Sequence, residues 1–119
     1  MAKICLSTKD YRGDDALHNV VNYVIRESKA CGDYGAQGVL MHNPLLCMDA
    51  VRKFYQNTGK QVIHFWLSFS NYDCVAVFEA INIGRDVASF FKDYQVVYGC
   101  HQDTDYLHIH VQLKSEEFH

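Results

Sequence analysis

The feature that most constrains the fold is the alternation of side chains over residues 106–113. Aliphatic residues fill every second position of this segment, and the positions between them hold polar or aromatic residues, including His108 and His110. Side chains of a β-strand point alternately to opposite faces of its sheet. The segment is therefore predicted to be a strand with one face in the core and both histidines on the other face.

A second segment, residues 61–69, alternates in the same way and is also predicted to be a strand. One of its faces is uniformly apolar, which is typical of a face that packs in the core. The opposite face carries Val62, His64, Trp66 and Ser68.

Three segments have apolar residues at helical spacing instead. They cover residues 17–25, 45–55 and 73–91, and each predicts a helix with one buried face. The stretch 27–38 holds three glycines and residues of mixed polarity, so we expect an irregular loop there.

The order of elements predicts the fold class. Further strands are expected over 3–7 and 94–100, which gives the order β-α-α-β-α-β-β along the chain. This order favours one α+β domain over residues 1–119, with a largely antiparallel sheet and its helices on one face. The other face of the sheet would then be available for chemistry.

Composition places the chain among ordinary globular proteins. Its 119 residues suit a single core, with 49% hydrophobic and 21% charged residues. No apolar run approaches the ~20 residues that cross a bilayer, and the N-terminus shows no signal-peptide pattern, so we expect a cytoplasmic protein with no membrane contact. The five cysteines are widely spaced and include no Cys-x-x-Cys pair, which argues against a disulfide framework or a zinc knuckle.

The charge argues against binding to nucleic acid. The formal net charge is −3, and the 11 basic residues are scattered along the sequence. Proteins that bind nucleic acid usually have a basic face, and the sequence alone does not show one.

A third histidine lies at the end of the preceding strand. If His101 pairs opposite His108, then Gly99 lies opposite His110 and all three imidazoles emerge on one face. Three neutral imidazoles with open coordination positions are a catalytic metal arrangement, and they suit Zn²⁺, Mn²⁺, Fe²⁺, Co²⁺ or Ni²⁺. Asp103, two residues after His101, is suited to orient one of the rings.

These residues also resemble a known family. The pattern His101-x-Asp103-x-x-x-x-His108-x-His110 resembles the third motif of conjugative relaxases of the mobilisation (P-type) group, in the HUH endonuclease superfamily. Residues 16–25, followed by Lys29, look like the first motif of the group, and residues 64–70 look like the second. The resemblance spans essentially the whole chain, which would be a minimal or truncated domain of the group.

The resemblance implies a fold and an activity. The fold would be HUH-relaxase-like, with the His-x-His pair on a central strand. The enzyme would nick and rejoin single-stranded DNA at a transfer origin, for conjugative transfer of plasmids or mobile elements. A tyrosine attacks the phosphodiester and leaves a 5′-phosphotyrosyl bond, while a divalent ion, Mg²⁺ or Mn²⁺, polarises the phosphate. In a crystal the ion could also be Zn²⁺, Co²⁺ or Ni²⁺. An accessory mobilisation protein and self-association into a homo-oligomer are further expectations.

The resemblance assigns roles residue by residue. Tyr23 would be the nucleophile, with Tyr11 and Tyr34 as competitors. A phenol with a pKa near ~10 is a weak nucleophile at neutral pH, so it needs the metal or a base, for which His64 and Asp103 are candidates. The remaining assignments are catalytic for Ser68, metal-ligating for the three histidines, and DNA-binding for Lys29, Ser70 and Lys114.

Two other functions are compatible with the sequence. One is a remnant without catalysis that binds DNA or a partner protein through the same site. The other is an unrelated histidine-metal phosphoesterase. For each residue a plain structural role is the alternative: His108 and His110 as solvated side chains, Tyr23 as a packed helical tyrosine and Ser68 as an ordinary strand serine.

Overall fold

The computed structural model describes residues 3–7, 15–31, 34–40, 42–55, 62–69, 76–103 and 106–117. Five strands and three helices lie within these ranges. In chain order they are β1 (Lys3–Leu6), α1 (Ala16–Cys31), β2 (Tyr34–Gln37), α2 (Pro44–Tyr55), β3 (Val62–Phe69), α3 (Val77–Ser89), β4 (Tyr94–Asp103) and β5 (Tyr106–Glu117).

The strands form one sheet in the order β1-β3-β5-β4-β2, and its neighbouring strands pair antiparallel. The α+β class and the antiparallel sheet predicted from the sequence are confirmed. The middle strand is β5, which carries His108 and His110. Neighbouring strands on both sides therefore bring side chains to these two histidines.

Helix α3 packs on the aliphatic face of β5. Ala80 and Ala88 of the helix are buried there against a cluster that includes Ile109 of β5 and Tyr98 of β4. A Cβ atom built on Gly84 of the helix would lie 2.8 Å from the Tyr98 ring and 3.0 Å from the Ile109 side chain. The missing side chain at Gly84 thus allows the close approach of helix and sheet.

Helices α1 and α2 pack on the opposite face, which is the face of the histidines. Leu17, Val21 and Val24 of α1 are buried against Val62 of β3 and Val97 of β4. The expectation that all the helices lie on one face of the sheet is not met, because this second face also has an apolar area that must be buried. The consequence is a histidine face that is partly covered by α1.

Strand β2 lies where the sequence led us to expect a loop. It forms an edge of the sheet, and Gly35 pairs with Tyr98 of β4. A Cβ atom at Gly35 would collide with the Tyr98 ring, so this glycine makes room for an aromatic side chain and does not mark a turn. Helix α1 also continues to Cys31, beyond its predicted end.

None of the helices in the described ranges is long and apolar enough to cross a membrane.

Candidate active site

The hairpin of β4 and β5 gathers three histidines on one face. His101 pairs opposite His108, and Gly99 pairs opposite His110, as the sequence predicted. The ring centroids of His101 and His110 are 4.2 Å apart, and those of His108 and His110 are 6.1 Å apart. The histidine cluster, as we call these three residues, is thus contiguous, with His110 in contact with both of the others.

Strand β3 adds a fourth imidazole beside the cluster. His64 is buried, and its Nε2 atom lies 2.8 Å from the Nδ1 atom of His110, which is hydrogen-bonding distance. One of these nitrogen atoms must carry a proton and the other must accept it. The bond constrains the ring of His110 from the β3 side, whereas Gly99 lies opposite His110 on the β4 side.

Burial and neighbouring imidazoles keep His110 neutral. Desolvation is the main cause, and charges on His101, His64 and His108 add to it, lowering the pKa of His110 from 6.5 to about 3. The ring is therefore a neutral imidazole at neutral pH, with one nitrogen protonated and the other able to bind a metal.

The cluster suits a metal by its chemistry but not by its present arrangement. Neutral imidazoles are good ligands for divalent transition metals. Even so, the described residues include no group of three or more His, Cys, Asp or Glu side chains placed to hold a metal ion. The ring centroids of His101 and His108 lie 4.2 Å and 6.1 Å from that of His110, so the three imidazoles are neighbours on one face.

Helix α1 brings Tyr23 onto the cluster. The Tyr23 ring is 45% exposed and makes an edge-to-face contact with His101, with ring centroids 5.4 Å apart. This contact exists because α1 packs on the histidine face. Arg26, one turn further along the helix, places its guanidinium carbon 5.8 Å from the centroid of the Tyr23 ring. A phenol, a cation and an imidazole thus meet at one partly exposed point.

Two more residues on β3 join the site across the β3–β5 ladder. Ser68 pairs opposite His108, and Trp66 pairs opposite His110. The rings of Trp66 and His110 are stacked, with centroids 5.7 Å apart and an angle of 26° between their planes. Residue Ser68, which the sequence analysis singled out, therefore lies on the same face as the cluster.

Trp66 and Arg26 were not among the predicted site residues. Strand alternation already placed Trp66 between His64 and Ser68, and this was the signal that it shares their face. For Arg26 the signal was its spacing of three residues from Tyr23, which puts the two side chains on one side of a helix.

Other predicted residues are not brought to the site, or lie outside the description. Lys114 is on β5 but has no exposed surface, which argues against the predicted contact with DNA. Tyr34 is only 7% exposed within the core of α1 and α2, which argues against its use as a nucleophile. Tyr11 and Ser70, and the side chains of Lys29 and Asp103, lie outside the described part of the chain.

Comparison with known families identifies the family of the chain. Residues 23–119 match the family model described as "Relaxase: MobA/VirD2-like, nuclease domain". The chain belongs to this relaxase family. No curated protein and no solved structure matches it. DNA nicking for mobilisation is thus the kind of activity that the family indicates for this chain.

The matched region of this relaxase domain contains every residue that we place at the site. It begins at Tyr23 and includes β3 and the hairpin of β4 and β5. The family resemblance seen in the sequence is thus confirmed.

Proposed function

We propose that this relaxase domain nicks and rejoins single-stranded DNA at a transfer origin, through a covalent bond between Tyr23 and the 5′ phosphate of the cut strand. The observation that carries the proposal is the contact between Tyr23 and His101, with ring centroids 5.4 Å apart. Family membership supports the reaction class, and the partial exposure of Tyr23 supports access for a DNA strand.

The proposed reaction exchanges one phosphoester bond for another. The Tyr23 oxygen attacks the phosphorus atom, the phenol loses its proton, and the bond from phosphorus to the 3′ oxygen breaks. The departing 3′ oxygen takes up a proton and becomes a hydroxyl group. Because the bond energy is retained in the phosphotyrosyl ester, attack by a 3′-hydroxyl reverses the step and rejoins the strand.

We assign the supporting roles by position. Arg26 is close enough to the Tyr23 ring to neutralise charge on a phosphate held there. His64 is a positioning residue, because it bonds to His110. Asp103, at the end of β4, is the proposed acceptor of the phenol proton, and Ser68 the proposed hydrogen-bond partner of the nicked strand.

A covalent adduct is the decisive test. The protein is incubated with a labelled single-stranded oligonucleotide carrying the transfer-origin sequence of its source replicon, together with Mn²⁺, and run on a denaturing gel. The wild type should give a shifted band that is absent in Tyr23→Phe. Tyr94→Phe, at the opposite end of β4 from His101, is the matched control and should keep the band. An adduct that persists in Tyr23→Phe contradicts the proposal.

A native binding assay with the same oligonucleotide and a turnover assay with a simple phosphodiester separate the two alternatives. DNA binding without any adduct supports a remnant that binds DNA through the same site without catalysis. Turnover of a simple phosphodiester that survives Tyr23→Phe supports a histidine-metal phosphoesterase.

A further inference from the structure

Trp66 lies outside the hydrophobic core in the described part of the fold. It is the only tryptophan of the chain, and neither of the two hydrophobic core clusters includes it. Its side chain is half-buried on the histidine face, in the middle of β3. A half-buried tryptophan beside a candidate active site is the kind of side chain that is enriched at binding interfaces.

The neighbours of Trp66 hold its ring firmly. It stacks on His110 with centroids 5.7 Å apart, and it lies tilted against His64 with centroids 5.6 Å apart. These two imidazoles bond to each other, so the contacts restrain the indole on one flank. On the other flank, across the β1–β3 ladder, its partner is the short side chain of Cys5.

A line of ring contacts joins this tryptophan to the nucleophile. Tyr23 contacts His101, His101 contacts His110, and His110 contacts Trp66. A strand whose phosphate lies at Tyr23 and which runs along this line would bring a neighbouring base to the indole.

The edge strand β1 supplies a cation next to this position. Lys3 pairs opposite Ser68, and Ser68 pairs opposite His108, so these three residues form one row across the sheet. Trp66 lies in the adjacent row, opposite His110. Lys3 is exposed, and its ammonium group can reach a phosphate without leaving water.

We propose that Trp66 and Lys3 form a nucleotide subsite of the DNA-binding face, in which the indole stacks on a base and the ammonium group contacts its phosphate. The subsite rests on the proposed function and adds to it a position for a nucleotide close to the attacked phosphate. Stacking tolerates every base, since each base has a π-face, so the subsite positions the strand and does not read its sequence.

Since Trp66 is the only tryptophan, its fluorescence reports on the subsite directly. A short oligothymidylate should quench the emission on binding, whereas an oligomer of abasic sites with the same phosphates should not. Affinity is measured separately by the anisotropy of a labelled oligothymidylate. Trp66→Leu should weaken binding about 10-fold, and Trp66→Phe, which keeps an aromatic ring, should restore most of it. Thermal unfolding shows whether each variant is folded.

The lysine has its own signature, the salt dependence of binding. Lys3→Gln should reduce the slope of log affinity against log salt by about 0.7, the value for one phosphate contact on a single strand. Lys92→Gln changes an exposed lysine in the turn before β4, at the far end of that strand from His101, and should leave the slope unchanged.

The subsite is wrong if oligothymidylate binds wild type and Trp66→Leu equally and leaves the emission of Trp66 unchanged. A Tyr23 adduct formed under those conditions would leave the proposed nicking function intact. Absence of any binding by the wild-type protein would overturn both the subsite and the proposed function.

Discussion

The Nε2 atom of His64 lies 2.8 Å from the Nδ1 atom of His110, on two strands that pair in the centre of the sheet. The interaction joins the histidine cluster to β3. If His110 is the donor, its proton is on Nδ1 and its Nε2 atom is free to accept a proton or bind a metal. The pair thus determines which nitrogen of His110 is available for chemistry.

Removing the side chain of His64 should therefore change the tautomer of His110 while the protein stays folded. In His64→Leu we expect a mixture of His110 tautomers and about a 10-fold slower formation of the Tyr23 adduct, the reduction typical of losing a residue that orients a metal ligand. Nitrogen-15 NMR of the imidazoles measures the tautomer directly. His64→Gln, which keeps a polar group at this position, should recover part of the rate.

The exposed His42 provides the control, since His42→Gln should change neither the tautomer nor the rate. An unaltered His110 spectrum in His64→Leu would show that the bond does not set the tautomer.

The pKa of His110 predicts how stability depends on pH. Burial and neighbouring histidines lower it from 6.5 to about 3 in the folded protein. Between these values the unfolded chain binds a proton at His110 that the folded chain does not, so the free energy of unfolding falls as the pH falls from 6.5 toward 3. One proton contributes at most about 1.4 kcal/mol per pH unit.

Urea unfolding in the absence of metal, at a series of pH values above the pKa values of Asp and Glu side chains, measures this slope. In His110→Asn the decrease below pH 6.5 should be shallower than in the wild type. Equal slopes in the two proteins would assign the pH dependence to other groups.

Metal binding tests whether the histidine cluster can rearrange. We retain His101, His108 and His110 as the proposed ligands, although the described residues include no group placed to hold a metal ion. The register already places all three side chains on one face, so we expect their rotation alone to complete the site. Calorimetric titration with Mn²⁺ should therefore show one site.

Each ligand should contribute to that site and not to folding. His108→Ala and His110→Ala are expected to weaken Mn²⁺ binding at least 10-fold while retaining a cooperative thermal transition, whereas His42→Ala should bind like the wild type. If either cluster variant fails to fold, these histidines are packing residues. If the folded wild type takes up no Mn²⁺, the cluster is not a metal site.

Local patterns were enough to predict much of the site. Alternation along β5 placed His108 and His110 on one face, and the length of the hairpin placed His101 opposite His108. Both inferences use only the geometry of a strand and its neighbour. The same alternation on β3 put His64 and Ser68 on one face.

The features that the sequence did not predict depend on contacts between distant segments of the chain. Gly35 reads as a turn residue until Tyr98, far along the chain, is known to lie over it. Lys114 follows the alternation of β5, but its burial depends on which helices cover that face. The placement of α1 over the histidines, which brings Tyr23 to His101, likewise comes from tertiary packing and not from its own periodicity.

The close contact of α3 with the sheet gives a final prediction. A Cβ atom at Gly84 would lie 2.8 Å from the Tyr98 ring and 3.0 Å from Ile109, both of them buried. Gly84→Ala would gain about 1 kcal/mol of helix propensity. Overpacking typically costs about 1–3 kcal/mol. Here the new methyl group would press on the Tyr98 ring, which already lies close to Gly35 of β2. We therefore expect a net loss in the free energy of unfolding, measured by urea denaturation. Asn82→Ala, at an exposed position of the same helix, should be neutral or slightly stabilising. A stabilised Gly84→Ala protein would mean that α3 can move away from the sheet at little cost.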